Sequence, residues 1–355
     1  MSEADERRVR ELRARAQAVG GGVREGSPAG VVRRVFAVQA QDAVAAALGI
    51  RVRGRGITAE AVRAAYEDER SIVRGWFLRG TLHTVPAADA RWLLRLLAPG
   101  ILAATAGRYR RLGLDEALLA ASDDLLGREA AEHGPRTRAE LTAALAPLGI
   151  PADGQESFHL IRHAALTGVL CHGPQRDGEA AYVPLDDWLP PAAGPEGDAA
   201  VAELARRYLA AHAPAAAEDF AAWSGLPLTR ARRAWHTLAA EGATAPYDAA
   251  LTTLAAAPAA PHRPGPPDVR LLPAYDGYFL GHRTRDTSVP AAHRSRVRPG
   301  GGVIRPTVLA DGLALATWTR APFRLAPFAP LPPGVVEGLD REAAAVTAFL
   351  RPSGS

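Results

Sequence analysis

SIVRGWFLRGTLHTVP, residues 71–86, is the stretch that decides the fold. It is rich in β-formers and interrupted by Gly75 and Gly80, the signature of a hairpin. What precedes it reads as helix. Residues 5–18 place Val9, Leu12 and Ala16 on one face with charges elsewhere. Ser27-Pro28 reads as an N-cap followed by proline at the first helical position, and Val31, Val32, Val35 and Phe36 then form an apolar stripe. Thr58 with Glu60 opens a third helix that runs to about Glu67. Three helices followed by a hairpin is the order of a winged helix.

The order recurs. After helical sequence through 86–132, Thr137-Arg138-Ala139-Glu140 starts a helix running to Ala146; a Gly-Ile-Pro-Ala-Asp-Gly turn, a helix ESFHLIRHAALTG and short strands around 169–173 and 180–184 follow. A third copy starts near 197, with helix to His212, a break at Pro214, helix through Trp223, a turn at Gly225-Leu226-Pro227 and the helix TRARRAWHTLAAEG. Identity between the copies is weak, so the repeat is one of architecture.

Two linkers separate these parts, PPAAGPEGD (190–198) and APAAPHRPGPPD (257–268). Beyond the second, VRLLPAYDGYFLGHR and VIRPTVLADGLALATWTR alternate and carry Asp-Gly turns, as in a small antiparallel sheet or barrel. A final helix spans about Val335 to Leu350. The expected fold is α-rich α+β: winged helices over 1–90, 91–190 and 197–256, then a β-barrel with a C-terminal helix over 267–355.

Composition narrows the function. A length of 355 residues suits two to three domains. Apolar residues make up 48% of the chain but aromatics only 6%, which points to small cores of Ala, Leu and Val. No run approaches the roughly 18 apolar residues of a membrane span, and the N-terminus is charged from its third residue, unlike a secretory signal. The single cysteine, Cys171, lies in an apolar run and reads as a buried thiol in a reducing, cytoplasmic setting. Net charge is +4, and all 42 basic residues are arginine, whose planar fork binds phosphate bidentately and stacks on bases. Clustered arginine makes nucleic-acid binding the class to test.

The common catalytic signatures are missing: there is no Walker loop, no GxGxxG after a strand, no HExxH and no GxSxG. His159 and His163 have i,i+4 spacing, but no carboxylate or cysteine lies near enough in sequence to complete a metal site. Neither metal nor cofactor is expected. One string is unusual, Val38-Gln39-Ala40-Gln41-Asp42, in a chain with five glutamines. Residues i and i+2 point about 200° apart on a helix but share a face in extended chain. Both amides serve one site only if the chain leaves the helix near Gln39. The competing reading is two solvent-facing glutamines after a helix.

Context adds to this. AVQAQD (37–42), WFLRGTLHTV (76–85), LLPAYDGYFLGHR (271–283) and VLADGLALATW (308–318) together resemble the winged-helix DNA glycosylases of the AlkZ/AlkX group, in the same order and over essentially the whole chain. The resemblance implies three winged-helix units and a β-barrel in a C shape around DNA, with a catalytic QxQ or QxD motif in the first unit. Gln39 and Gln41 match the QxQ form, which in that group goes with bacterial self-resistance: excision of bulky N7-alkylguanine and unhooking of interstrand crosslinks. The QxD form goes with broader repair. Asp42 adjoins the motif as a further carboxylate.

The chemistry agrees with the residues. Glutamine is no general base, but its amide both donates to and accepts from a water. N7-alkylation makes guanine cationic, so the base leaves neutral and needs no acid. Holding a water against C1′ and stabilising oxocarbenium-like charge then suffice. With no lysine in the chain, a lysine Schiff-base lyase step is excluded. A crosslinked guanine cannot swing out fully, so the expectation is attack with little or no base flipping. Arg79, Thr81 and His83 alternate along the first wing and are candidates for the active site or for DNA contact. Arg230, Arg232 and Arg233 open the third unit's recognition helix, where phosphate contact competes with a solvated charged face. His282, Arg283, Arg285, His293, Arg294 and Arg296 lie in a loop-like stretch suited to the DNA backbone. The expected partner is double-stranded DNA bearing alkylated guanine, bound by a monomer at the nucleoid. Two alternatives stay open, a non-catalytic winged-helix regulator and a drug-sequestering resistance protein.

Overall fold

The computed structural model describes residues 2–256 and 265–351; most of the second linker, 257–264, lies outside them. Ser2 starts helix α1 (Glu3–Ala16) through a capping box with Asp5. The face α1 buries differs from the expected one: Val9, Arg13 and Ala14 are buried, whereas Leu12 and Ala16 are half-buried. The reason is Arg13, which turns inward and donates from Nε to the Pro214 carbonyl at 2.9 Å. Ser27 accepts from the Gly30 N–H and starts α2 (Pro28–Val35), with proline in its first turn, as expected. The chain then turns through Phe36, at φ 64°, into the short extended segment β1 (Val38–Gln39).

Helix α3 (Ala43–Arg51), capped by Asp42, was not anticipated. Its sequence, AVAAALGIR, is apolar nearly throughout and buries Ala45, Ala46, Leu48, Gly49 and Ile50. A helix without a polar face gives no 3.6-residue alternation to read. Helix α4 (Ala59–Glu67) follows where expected.

The chain folds into two compact units, residues 63–200 and the remainder. In the first, β2 (Ile72–Trp76) and β3 (Leu82–Pro86) form the expected antiparallel hairpin, in register from Ile72↔Pro86 to Trp76↔Leu82. Its tip is a 3-10 turn with Arg79 and Gly80 at positive φ. Helices α5 (Ala90–Arg111) and α6 (Glu116–His133) lead to β4 (Arg136–Thr137). A Thr137–Glu140 capping box opens α7 (Arg138–Ala144), which gives way to a 3-10 turn at Ala146, next to Pro147. Helix α8 (Glu156–Leu166) precedes β5 (Leu170–Arg176) and β6 (Glu179–Pro184), and β4 pairs with β6 on the side away from β5. A turn of helix, α9 (Leu185–Trp188), ends the unit's ordered elements before the 190–198 linker. Leu126, Leu141, Leu145 and Leu160, all fully buried, form its core with Trp76 and Tyr182. Cys171 is buried, and burial pushes its thiol up to about 12, so it is protonated and inert.

In the other unit, α10 (Gly197–His212), α11 (Ala217–Ser224) and α12 (Leu228–Ala240) are followed by the hairpin of β7 (Thr244–Pro246) and β8 (Thr252–Leu254). Strand β9 (Val269–Leu272), the short helices α13 (Gly277–Leu280) and α14 (Arg294–Val297), and strands β10 (Thr307–Ala310), β11 (Leu313–Thr319) and β12 (Arg324–Pro327) come next. The four strands form one antiparallel sheet in the order β12-β11-β10-β9, with Asp311 and Gly312 at positive φ in the β10–β11 turn. Helix α15 (Pro333–Phe349) crosses β9 so closely that a Cβ on Gly338 would lie 2.6 Å from Val269. Along the chain, helix pairs followed by a hairpin occur at α3–α4, α7–α8 and α11–α12. Among the described residues no helix is long and apolar enough to cross a membrane.

The 63–200 core contains a buried histidine. His172 lies 4.6 Å from the Tyr182 ring and 5.2 Å from Trp76, and burial, reinforced by the Arg74 charge, pushes it down to about 3. The unfolded imidazole takes up its proton near 6.5, so the stabilisation is complete above that pH and is lost as the pH falls towards 3. The slope is up to about 1.4 kcal/mol per pH unit. His172→Phe keeps the ring and removes the titration; urea unfolding followed against pH should show a flatter acid limb, with stability near neutrality changed little.

Candidate active site

The turn at Phe36 ends α2 and leads into β1, which holds Gln39 extended; Gln41 follows in a bend two residues on, and the two side-chain amides meet. Gln39 Nε2 donates to Gln41 Oε1 at 2.7 Å. Gln39 is half-buried and Gln41 exposed, and Gln39 Oε1 is buried with no hydrogen bond from the protein. Asp42 has a local duty: its Oδ1 accepts the Ala45 N–H at 3.0 Å and starts α3.

Gln39 borders a recessed cleft, partly open to solvent, with room for about one water. Val38, Ala45 and Gly49 line one side, Pro273, Tyr275 and Asp276 the other. Tyr275 has φ 57°, a conformation that L residues seldom adopt. Behind the cleft is a buried ion pair. Arg53 Nη2 meets Asp276 Oδ1 at 2.6 Å and Nη1 meets Oδ2 at 2.8 Å, each side chain only 2% exposed. The remaining Arg53 N–H groups go to the Gln17 carbonyl, the Gly49 carbonyl and Gln17 Oε1. Gln17 Nε2 donates in turn to the Ala211 carbonyl. Nothing local in the sequence marks Arg53 or Gln17; the string LLPAYDGYFLGHR, which carries Tyr275 and Asp276, is the one sequence signal near this pair.

On the hairpin of the 63–200 unit, Arg79 is exposed at the tip, Thr81 Oγ1 donates to the Leu78 carbonyl, and His83 is buried. His83 Nδ1 lies 3.0 Å from the Thr81 carbonyl, and burial, together with the Arg79 charge, pushes the ring down to about 3. A neutral imidazole is therefore what this position offers at physiological pH.

The arginine-rich segments divide. On α12, Arg232 pairs with Glu218 at 2.8 Å and is exposed, as is Arg233, with Arg230 half-buried. In the 282–299 segment, His282 is a correction. It is buried, its Nε2 bonds the His212 carbonyl at 2.9 Å, and burial holds its pKa well below the usual value, so it belongs to the core rather than to a DNA-facing surface. Arg283 and Arg294 are exposed, Arg294 pairing with Asp286 at 2.7 Å. Arg285 is half-buried. His293 stacks on Phe328 at 4.7 Å, and Arg296 sits 4.8 Å over the same ring while donating to the Pro327 carbonyl. His163 finds a carboxylate that its sequence neighbours lack, Asp123 at 3.0 Å. Among the described residues no three His, Cys, Asp or Glu side chains are grouped to hold a metal.

A family model described as DNA glycosylase AlkZ-like matches residues 32–349. An interstrand DNA cross-link repair glycosylase of Streptomyces sahachiroi is 29% identical over 324 residues, covering 82% of each chain. The solved structure of the Streptomyces sahachiroi DNA glycosylase AlkZ superposes with a TM-score of 0.72, at 25% identity, over 97% of this chain and 96% of that one.

Removing Arg53 leaves the Asp276 carboxylate buried and unpaired, a loss of about 3–5 kcal/mol for a pair of this kind. Arg53→Ala should lower the urea midpoint accordingly, and Arg53→Lys should recover only part of it, since an ammonium cannot fill five planar donor directions. An Arg53→Ala protein as stable as wild type would show that the pair contributes nothing.

Proposed function

The chain belongs to the AlkZ-like DNA glycosylase family, and from that premise we propose that it hydrolyses the N-glycosidic bond of N7-alkylated guanine, bulky adducts and interstrand crosslinks included. The observation that carries this reading is the Gln39–Gln41 contact at 2.7 Å beside the cleft. Two coupled amides present donors and acceptors to one water, and no ionised side chain is needed at the reacting centre, because the cationic guanine is already a good leaving group. Their carbonyl oxygens orient the water towards C1′ and stabilise the charge that develops there.

The enzyme is monofunctional in this reading, since the chain has no lysine amine to form a Schiff base with the abasic sugar. The three helix-pair-and-hairpin repeats act as winged helices on duplex DNA. Arg230 and Arg233 on α12 and Arg283, Arg294 and Arg296 beyond α13 supply phosphate contacts, and Arg79 reaches the duplex from the first wing. Binding to intact duplex should then be weak and strongly salt-dependent. The relative's printed activity on crosslinks and the QxQ form of the motif both favour self-protection of a cell that makes a DNA-alkylating compound.

A duplex carrying one N7-alkylguanine, incubated with protein and then treated with alkali, tests the proposal. Wild type should yield a single cut at the lesion. Gln39→Ala and Gln41→Ala should each slow excision by about 10²-fold with duplex binding retained. Binding without any cut, on small and bulky adducts alike, would replace the enzyme with a DNA-binding regulator.

A further inference from the structure

Gln39 is held by the protein at one end only. Its Nε2 donates to Gln41, whereas its Oε1 is buried and receives no protein hydrogen bond. Buried polar atoms are as a rule satisfied by protein or by ordered water. Asp276, on the same cleft, has acceptor capacity to spare. Its Oδ1 takes Arg53 Nη2 and the Tyr278 N–H, while its Oδ2 takes Arg53 Nη1 alone. Arg53 can donate to nothing further, because all five of its N–H groups are engaged. Gly49 lines the same cleft as Gln39 and Asp276. A methyl group there would stand 3.7 Å from Asp276 Oδ2, from Val38 Cγ1 and from Pro273 Cγ, in ordinary contact with three walls at once. Such a space takes a methyl group or a water, and two residues that line the cleft, Gln39 and Asp276, carry acceptor capacity that the protein leaves unfilled.

We propose that this recess is a built hydration site, in which one ordered water donates one proton to Gln39 Oε1 and the other to Asp276 Oδ2. The water fixes the Gln39 amide with oxygen inward and NH2 outward, so that Gln41 Oε1 must face Gln39 as acceptor. Without it, the two amides pair equally well in either orientation, and the face they present to the reacting water is undefined. Asp276 is thus a positioning residue, acting through the water on Gln39, and position 49 is glycine because a side chain would displace that water. The kinetic consequence rests on the glycosylase reading; the hydration site does not.

Gly49→Ala is the informative variant. It creates no clash and favours the helix, so its thermal midpoint should equal or exceed wild type. The chain has five glutamines, so 15N labelling gives a sparse set of side-chain amide signals, with Gln39→Ala identifying the pair to follow. In Gly49→Ala the Gln39 pair should shift and exchange faster with solvent, and single-turnover excision of N7-methylguanine should slow by about tenfold or more with duplex affinity unchanged. An unmoved Gln39 pair with an unchanged rate would overturn the hydration site while an active wild type upheld the glycosylase. A moved pair in a protein whose wild type excises nothing would keep the hydration site and remove the glycosylase. A moved pair with an active wild type and an unaltered rate would overturn the positioning role of Asp276.

Discussion

Arg53 and Asp276 stand 223 positions apart in sequence and meet almost wholly out of water. Burying two charges costs several kcal/mol per ion, and their attraction offsets it only where the remaining donors and acceptors are filled. Here the guanidinium is saturated. Its partners come from the end of α1 through Gln17, from α3 through the Gly49 carbonyl, and from the β9–α13 turn through Asp276. One side chain therefore ties together three segments that have no common secondary structure. Gln39 lies on the segment between the first two, so the position of the amide pair depends on a contact neither glutamine makes.

The same saturation keeps the site electrically quiet. Arg53 and Asp276 cancel, and Gln39 and Gln41 are neutral at any pH. A site for a cationic base benefits from this, because a buried net positive charge would repel the alkylated guanine. In the proposed function, neutral amides orient a water and the positive charge already on the base drives departure.

The parts of this legible in sequence were those with local causes. The hairpin at 71–86 is spelled by β-formers and glycines, the caps at Ser27 and Thr137 by their own side chains, and the departure from helix before Gln39 by the turn at Phe36 that lets the two amides meet. Helix α3 was not legible, since it is apolar even where it is exposed, at Ala43 and Val44, and so shows none of the alternation that marks a helix. Nor was the inward turn of Arg13, which answers a carbonyl 201 positions away. Arg53 and Asp276 show the same limit: an arginine among 42 carries no local sign that its partner lies beyond residue 270. His282 went wrong for a related reason. Arg283 beside it is exposed and basic, but the His282 ring answers to the His212 carbonyl, on a helix far upstream.

That segment also bears on how a duplex is met. His293 and Arg296 both pack on one ring, Phe328, and Arg296 is further tied to the Pro327 carbonyl. A cation over an aromatic face gives up little hydration to a phosphate that approaches from outside, and the stack orders the loop before anything binds. Arg232 and Arg294 are differently placed, since each must leave a carboxylate to meet a phosphate. Ordering in advance lowers the entropic cost of association, whereas exchanging one anion for another returns little net energy. In the proposed function, then, the Phe328 cluster contributes more per arginine to holding the duplex than the more numerous paired arginines around it. The arginine count alone would overstate the affinity, because many of these charges are already answered within the protein.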